Sequence, residues 1–296
     1  MPTVQLLTDT PSALDTLSHV EVLYTDLDGT LLGLGGSLLI DGEGRPSVST
    51  AEAIARVNAA GLTVVLATGR NRIQCTEITR MLGWRGFIAE LGCVVVPDRG
   101  ADPIYLTGDW DSDALAPGET PCDAIERIGA PAALREAFPG LLESHAPYHR
   151  NREATILLRG SLDLDAARVV LGELDLAVEI VDNGIIHPPV TGLSPGLAEI
   201  HAYHLMPPGV TKAGAVAADM ARRGLGRAQA AAIGDALTDT AIADSTALGV
   251  VLANGLANDS VRADAAKRAN VYATSASRGD GWVQFANAWL TARSTG

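Results

Sequence analysis

Positive charge is in short supply in this chain. Against 35 acidic residues it carries 22 basic ones, for a net charge of −13 and a pI near 4.8. Such a surface repels polyanions, so a general nucleic-acid or anionic-membrane binder is disfavoured, and a small anionic substrate needs local cations or a metal to receive it. Cysteine is also scarce. Cys75, Cys93 and Cys122 are odd in number and lack C-x-x-C spacing, which indicates neither a disulfide framework nor a zinc site but small buried apolar residues. No window approaches the roughly 20 apolar residues that span a bilayer. The stretch from Met1 to Val20 contains Asp9 and Asp15 and has neither the basic start nor the apolar run of a secretory signal, so a cytoplasmic enzyme is expected. No G-x-G-x-x-G follows the first strand-like run, which argues against a nucleotide-binding dehydrogenase. Internal repeats and low-complexity tracts are lacking too. What is present is ordinary globular material: 296 residues, 47% hydrophobic and 19% charged, enough for one large or two ordinary domains.

The most informative segment is Val22-Leu23-Tyr24-Thr25-Asp26-Leu27-Asp28-Gly29-Thr30. Branched and aromatic residues over 21–25 predict a buried strand, and Gly29 supplies the turn that stops it. Asp26 and Asp28 therefore emerge at the carboxyl end of a strand, the end that faces the ligand crevice in open α/β sheets. The pattern of strand, polar turn and helix then repeats. Ser49-Thr50-Ala51-Glu52 has the form of a capping box opening a helix over about 50–60, ended by Gly61. Residues 62–66 predict a second strand, ending in Ala67-Thr68-Gly69-Arg70, and a third β-rich region covers 87–89 and 94–96.

Composition shifts to Pro, Gly and Asp near 97–123. Beyond it, a helix near 124–137, strands at 155–158 and 176–181, a helix near 163–174 and a β-prone stretch at 197–205 predict a second α+β unit. Core-type alternation resumes with Thr211 capping a helix to about 223, then strands ending in Gly234-Asp235 and in Ala253-Asn254-Gly255. The expected fold is α/β: a doubly wound, parallel-sheet (Rossmann-like) core of residues 1–100 and 206–296, interrupted by an inserted α+β cap of residues 101–205.

Four polar clusters stand at element ends: Asp26 with Asp28, Thr68, Lys212, and Asp235 with Asp239 in Gly234-Asp235-Ala236-Leu237-Thr238-Asp239. Any one of them alone reads as a helix cap or solvated turn. In order and spacing together they resemble the haloacid dehalogenase superfamily of phosphotransferases, whose motifs run D-x-D-G-T, a strand-ending Ser or Thr, a Lys, and G-D-x-x-x-D. The resemblance covers both core segments, and the long insertion between Thr68 and Lys212 is similar in position to the large α/β cap of the subgroup holding sugar-phosphate phosphatases and phosphomutases.

The resemblance implies a magnesium-dependent phosphatase acting on a small phosphorylated metabolite, a sugar phosphate or phosphoglycolate-like acid. Asp26 is the expected nucleophile, forming an aspartyl-phosphate; Asp28 is the expected acid and base. Asp26 and Asp235 are the expected side-chain ligands of Mg2+, with the Asp28 carbonyl as a third ligand and Asp239 holding a metal-bound water or orienting the site. Thr68 and Lys212 would contact the phosphoryl group, with Gly69, Arg70 and Asn254 as further substrate contacts. Arg72, His187, His201, Tyr203 and His204 are weaker candidates. A phosphomutase would use the same motifs, and a catalytically idle binding module would be expected to have lost the nucleophile. A monomer or homodimer is expected.

Overall fold

The computed structural model describes residues 4–295. The first half supplies strands β1 (Val22–Thr25), β2 (Thr63–Ala67), β3 (Phe87–Ala89), β4 (Val94–Val96), β5 (Ile104–Tyr105) and β6 (Leu142–Ser144). The second supplies β7 (Ile156–Gly160), β8 (Glu179–Ile185), β9 (His201–Met206), β10 (Ala230–Gly234), β11 (Leu248–Val251) and β12 (Val271–Ala273). They form two sheets, one of eight strands in the order β12-β11-β10-β1-β2-β3-β4-β5 and one of four in the order β6-β7-β9-β8.

The large sheet is parallel from β12 to β3, as the strand–helix alternation predicts, and closes on one edge with the antiparallel strands β4 and β5. β1 lies in its middle, and all four of its residues are buried. Helices cover both faces, which is why the central strands are apolar throughout rather than alternating. On one face the helix Arg278–Thr295 packs against the helices Ser49–Ala59 and Pro11–Ser18. It sinks Trp282, Phe285 and Trp289 completely into the core, and the Trp282 indole donates to Thr25 Oγ1 at 3.2 Å. The other face carries the helix Lys212–Arg223, whose Ala215, Val216 and Met220 pack on Tyr24, Val65 and Ala232.

The small sheet is antiparallel. One face packs Ile156, Leu158, Tyr203 and Leu205 against the helices Pro121–Arg127, Ala130–Ala137 and Leu164–Leu171. The period of two in a strand then sends Leu157, Arg159, Ala202 and His204 to the opposite face, where they border a cleft.

Several local expectations change. Ser49 does not cap its helix; the helix begins at Ser49 itself, with Val48 in the cap position, and the Ser49 hydroxyl pairs with Ser47 Oγ at 3.0 Å. The helix expected near 124–137 is two helices, broken at Gly129, whose φ of +75° lies in the left-handed region. β5 extends the large sheet past residue 100, to Tyr105. Among the described residues, no helix is long and apolar enough to cross a membrane.

Candidate active site

Parallel pairing aligns the ends of three neighbouring strands. Thr25 pairs with Leu66 on one side and Ile233 on the other, so Asp26, Thr68 and Asp235 leave the sheet along the same edge. Neighbouring strands stand only about 4.8 Å apart, and three distant segments thereby become one site. Lys212 comes from above this edge. Thr211 caps its helix by accepting from Gly214 N at 3.0 Å, which places Lys212 in the first turn.

The Lys212 ammonium, 4% exposed, donates to Asp26 Oδ1 at 2.8 Å and to Asp239 Oδ1 at 2.9 Å. Asp239 Oδ2 accepts from the backbone N–H groups of Asp235 and Ala236, so this carboxylate holds the turn that carries Asp235. Asp235 is held in turn by Thr30 Oγ1 at 3.1 Å and by the Asn254 amide at 2.9 Å, which also donates to Gly29 O. Two glycines permit this crowding. A Cβ on Gly29, which has a φ of +84°, would lie 2.4 Å from Asp235 Oδ2, and a Cβ on Gly234 would lie 2.3 Å from the Asp239 side chain.

Asp26, Asp235 and Asp239 offer carboxylate oxygens that all lie within 4.8 Å of one another. With Lys212 as the one cation among them, the group carries a charge of about −2 when ionised. Burial, reinforced by Asp239 and Asp235 and opposed by Lys212, pushes Asp26 up to about 8. Burial and the Asp239 charge push Asp235 up to about 6. Burial also works against the Lys212 ammonium, but Asp239 and Asp26 outweigh it and keep it protonated. Hard oxygens, close spacing and excess negative charge are the donor set a divalent cation such as magnesium requires.

Asp26 and Asp235 form the floor of a cleft of about 1100 Å³ between the two sheets, with Asp239 buried behind them. Thr68, Gly69 and Arg70 line it beside Asp26, while His145, Arg159, Asn183, His187 and His204 line it from the inserted segment. Asp28 also lines it, but its carboxylate is taken by a bidentate pair with Arg70, at 2.6 and 2.8 Å.

Other expected residues lie elsewhere. Asn254 is behind Asp235, bracing it, and does not border the cleft. Arg72 is engaged by Glu153 in a bidentate pair. His201 and Tyr203 are on the far face of β9, stacked on each other, and the Tyr203 hydroxyl accepts from Leu162 N. Of that strand's candidates, His204 alone reaches the cleft.

The residues missed by sequence reasoning join the two sheets or brace the smaller one. The Glu90 carboxylate, fully buried, accepts from the backbone N–H groups of Glu153, Ala154 and Thr155 and from Thr155 Oγ1. Arg152 sits beside it at 3.5 Å and donates to Gly69 O at 2.9 Å, so the inserted segment grips the turn that follows Thr68. Arg159 pairs with Glu143 and donates to Val190 O, tying down the strap between β8 and β9. No spacing rule marks these residues, because each pair is joined across 16 residues or more.

Residues 23–113 match the family model described as haloacid dehalogenase-like hydrolase. A phosphoglycolate phosphatase from Pyrobaculum neutrophilum is 30% identical over 84% of this chain and 86% of its own length. One from Methanoculleus marisnigri is 24% identical over 79% of this chain and 85% of its own. Among solved structures, the sucrose-phosphatase of Synechocystis shares the fold with a TM-score of 0.60 at 14% identity, over 92% of this chain and 98% of that one. The chain therefore belongs to the haloacid dehalogenase-like hydrolase family and is a phosphatase, a phosphoric monoester hydrolase.

Proposed function

We propose that the chain is a magnesium-dependent phosphatase that hydrolyses a small phosphorylated metabolite, a sugar phosphate or phosphoglycolate-like acid, through an aspartyl-phosphate on Asp26. The observation that carries this reading is the junction of Asp26 with Lys212 at 2.8 Å inside a group of three carboxylates, two of which, Asp26 and Asp235, line the floor of the cleft. A carboxylate can attack a dianionic phosphoester only where other groups cancel the repulsion, and here buried cationic charge stands beside it.

Asp26, Asp235 and the backbone at Asp28 would hold magnesium, with Asp239 fixing Asp235 from behind. Bound there, the ion supplies charge neutralisation for the phosphoryl oxygens. Lys212 holds Asp26 in orientation and adds positive charge, while Thr68 and the Gly69 N–H offer donors beside it. An Asp26 oxygen forms a bond to phosphorus as the ester oxygen departs with a proton from Asp28. Asp28 then takes a proton from water as that water attacks the phosphorus, releasing phosphate and restoring Asp26. In the resting site Arg70 donates to both Asp28 oxygens, so this pair opens for Asp28 to take up the proton that it delivers.

The inserted segment acts as a cap that sets substrate choice, since it supplies the far wall of the cleft but none of the three clustered acids. The relatives named phosphoglycolate phosphatase and the sucrose-phosphatase that shares the fold support a small phosphorylated substrate. The test is phosphate release from a panel of phosphorylated metabolites with magnesium, with products analysed for isomerised phosphate. Release that persists in a folded Asp26→Asn protein would sink the covalent route, and isomerised product without free phosphate would indicate a mutase.

A further inference from the structure

The wall of the cleft opposite the acids contains one histidine whose protonation state is set by what lies behind it. His204 is 1% exposed. Its Nδ1 lies 3.4 Å from Arg152 Nη2 and 3.3 Å from Thr155 Oγ1. A guanidinium only donates, so a lone pair on Nδ1 suits Arg152 Nη2, while the single Thr155 hydroxyl proton is committed to Glu90. With the proton on Nδ1 instead, a buried N–H would face a guanidinium nitrogen, donor against donor, beside a positive charge. The ring proton therefore sits on Nε2. Burial and the Arg152 charge also hold His204 well below the usual histidine range, so the ring is neutral and has one N–H.

That N–H lies beside the turn that follows Thr68. His204 Nε2 lies 3.5 Å, and Asn183 Nδ2 3.2 Å, from the position a Cβ on Gly69 would occupy. Gly69 directly follows Thr68, and all four residues border the cleft. Among the described residues, neither His204 Nε2 nor the Asn183 amide has a hydrogen-bond acceptor. Two neutral donors thus converge over the turn that follows Thr68, both open to a ligand in the cleft.

We propose that the His204 Nε2–H and the Asn183 amide form a donor pair that reads an acceptor oxygen on the carbon skeleton next to the phosphoester. The pair selects phosphates of hydroxyl- or carboxylate-bearing metabolites over simple alkyl phosphates, and it disfavours substrates with an ammonium group there, which would bring donor against donor. This rests on the reading that Asp26 and Thr68 receive the phosphoryl group. His204 is a specificity residue positioned by Arg152, and Arg152 is positioned by Glu90.

The experiment compares 2-phosphoglycolate, glycerol 3-phosphate and ethyl phosphate as substrates of the wild type, His204→Phe and Asn183→Ala. His204→Phe keeps a ring but removes the N–H. Its kcat/KM should fall about tenfold further on the oxygenated esters than on ethyl phosphate, the size of one lost hydrogen bond. Asn183→Ala, at an exposed position outside the buried network, should show the same bias at about threefold. Selective loss on 2-phosphoglycolate assigns a carboxylate as the acceptor, and selective loss on glycerol 3-phosphate assigns a hydroxyl. Equal losses on all three esters, or no loss, in both variants would overturn the proposal.

A second measurement does not depend on turnover or on the variants folding. In the wild type labelled with 15N-histidine, the ring shifts of His204 should show the proton on Nε2 at neutral pH, and that N–H should move on addition of either oxygenated ester but not of ethyl phosphate. A proton on Nδ1, or no ligand response, would overturn the proposal. Failure of the wild type to hydrolyse any ester, para-nitrophenyl phosphate included, would instead refute the role of Asp26 while these shifts still report on His204.

Discussion

Glu90→Ala perturbs the joint between the two sheets at its centre. The wild-type carboxylate accepts at 2.9, 3.2 and 2.8 Å from the N–H groups of Glu153, Ala154 and Thr155, and at 2.9 Å from Thr155 Oγ1. It also balances Arg152, whose side chain is 1% exposed. Truncation strands buried backbone donors and leaves a buried guanidinium without its counter-charge, a change that costs about 3–5 kcal/mol. Alanine is the right replacement because Glu90 has a φ of +52°, and a glycine would relieve backbone strain at the same time.

Unfolding entropy of about 2.1 cal/mol/K per residue gives roughly 0.6 kcal/mol/K for a chain of this size, so Tm should fall by about 5–8 °C. Glu90→Gln should fall by less, since one oxygen remains. Adding Arg152→Met to Glu90→Ala should recover part of the loss, because it removes the stranded charge. Calorimetry or circular dichroism on the metal-free protein measures all three. A Tm for Glu90→Ala within 1–2 °C of the wild type, on the scale of about 1 kcal/mol, would show that the pair does not join the sheets as argued.

Asp26→Asn should lower kcat by more than about 10³-fold while the protein stays folded, as checked by circular dichroism beside the phosphate assay. Chelation should abolish turnover and magnesium restore it, with calcium a poor substitute because its looser, higher coordination draws in both carboxylate oxygens; full activity in excess chelator would reject the metal role of Asp235. Acid sensitivity follows from His145, pushed down to about 4 chiefly by burial and then by Arg159 and Arg152. Because its folded pKa lies below the unfolded value of about 6.5, its contribution is complete above that pH and is lost as pH falls toward 4. Half-burial discounts the effect to about 1–2 kcal/mol. Comparing urea midpoints of the wild type and His145→Gln at pH 7.5 and 5 cancels the buried acids' opposite trend, and the wild type should lose more; an equal loss would remove His145 from the account.

The sequence disclosed the polar floor of the cleft because those residues occupy strand ends. Asp26, Thr68 and Asp235 each follow a short apolar run, and parallel pairing needs only the strand pattern to bring them to one edge. The same logic located Lys212, since Thr211 announces its helix. Even the glycines could be read, Gly29 as a turn. What the pattern does not hold is the direction of a side chain whose strand limits are uncertain by a residue or two. His201, Tyr203 and His204 are close in sequence, yet alternation sends the first two to the helix-covered face and the third to the cleft. A shift of one residue in the pairing would have exchanged them.

The charged residues that join the sheets were illegible for a different reason. Arg152 and Glu90 in a sequence look like solvated surface residues, because free arginine and glutamate are rarely buried. Their burial is tolerated only because each satisfies the other and the intervening backbone, and that condition exists only once the inserted segment has docked. The joint also ends on Gly69 O and on His204, the two groups that frame the turn after Thr68. Docking of the inserted segment and orientation of the turn beside Asp26 are therefore one event, and a mutation that loosens the first should blunt substrate selection before it unfolds the core.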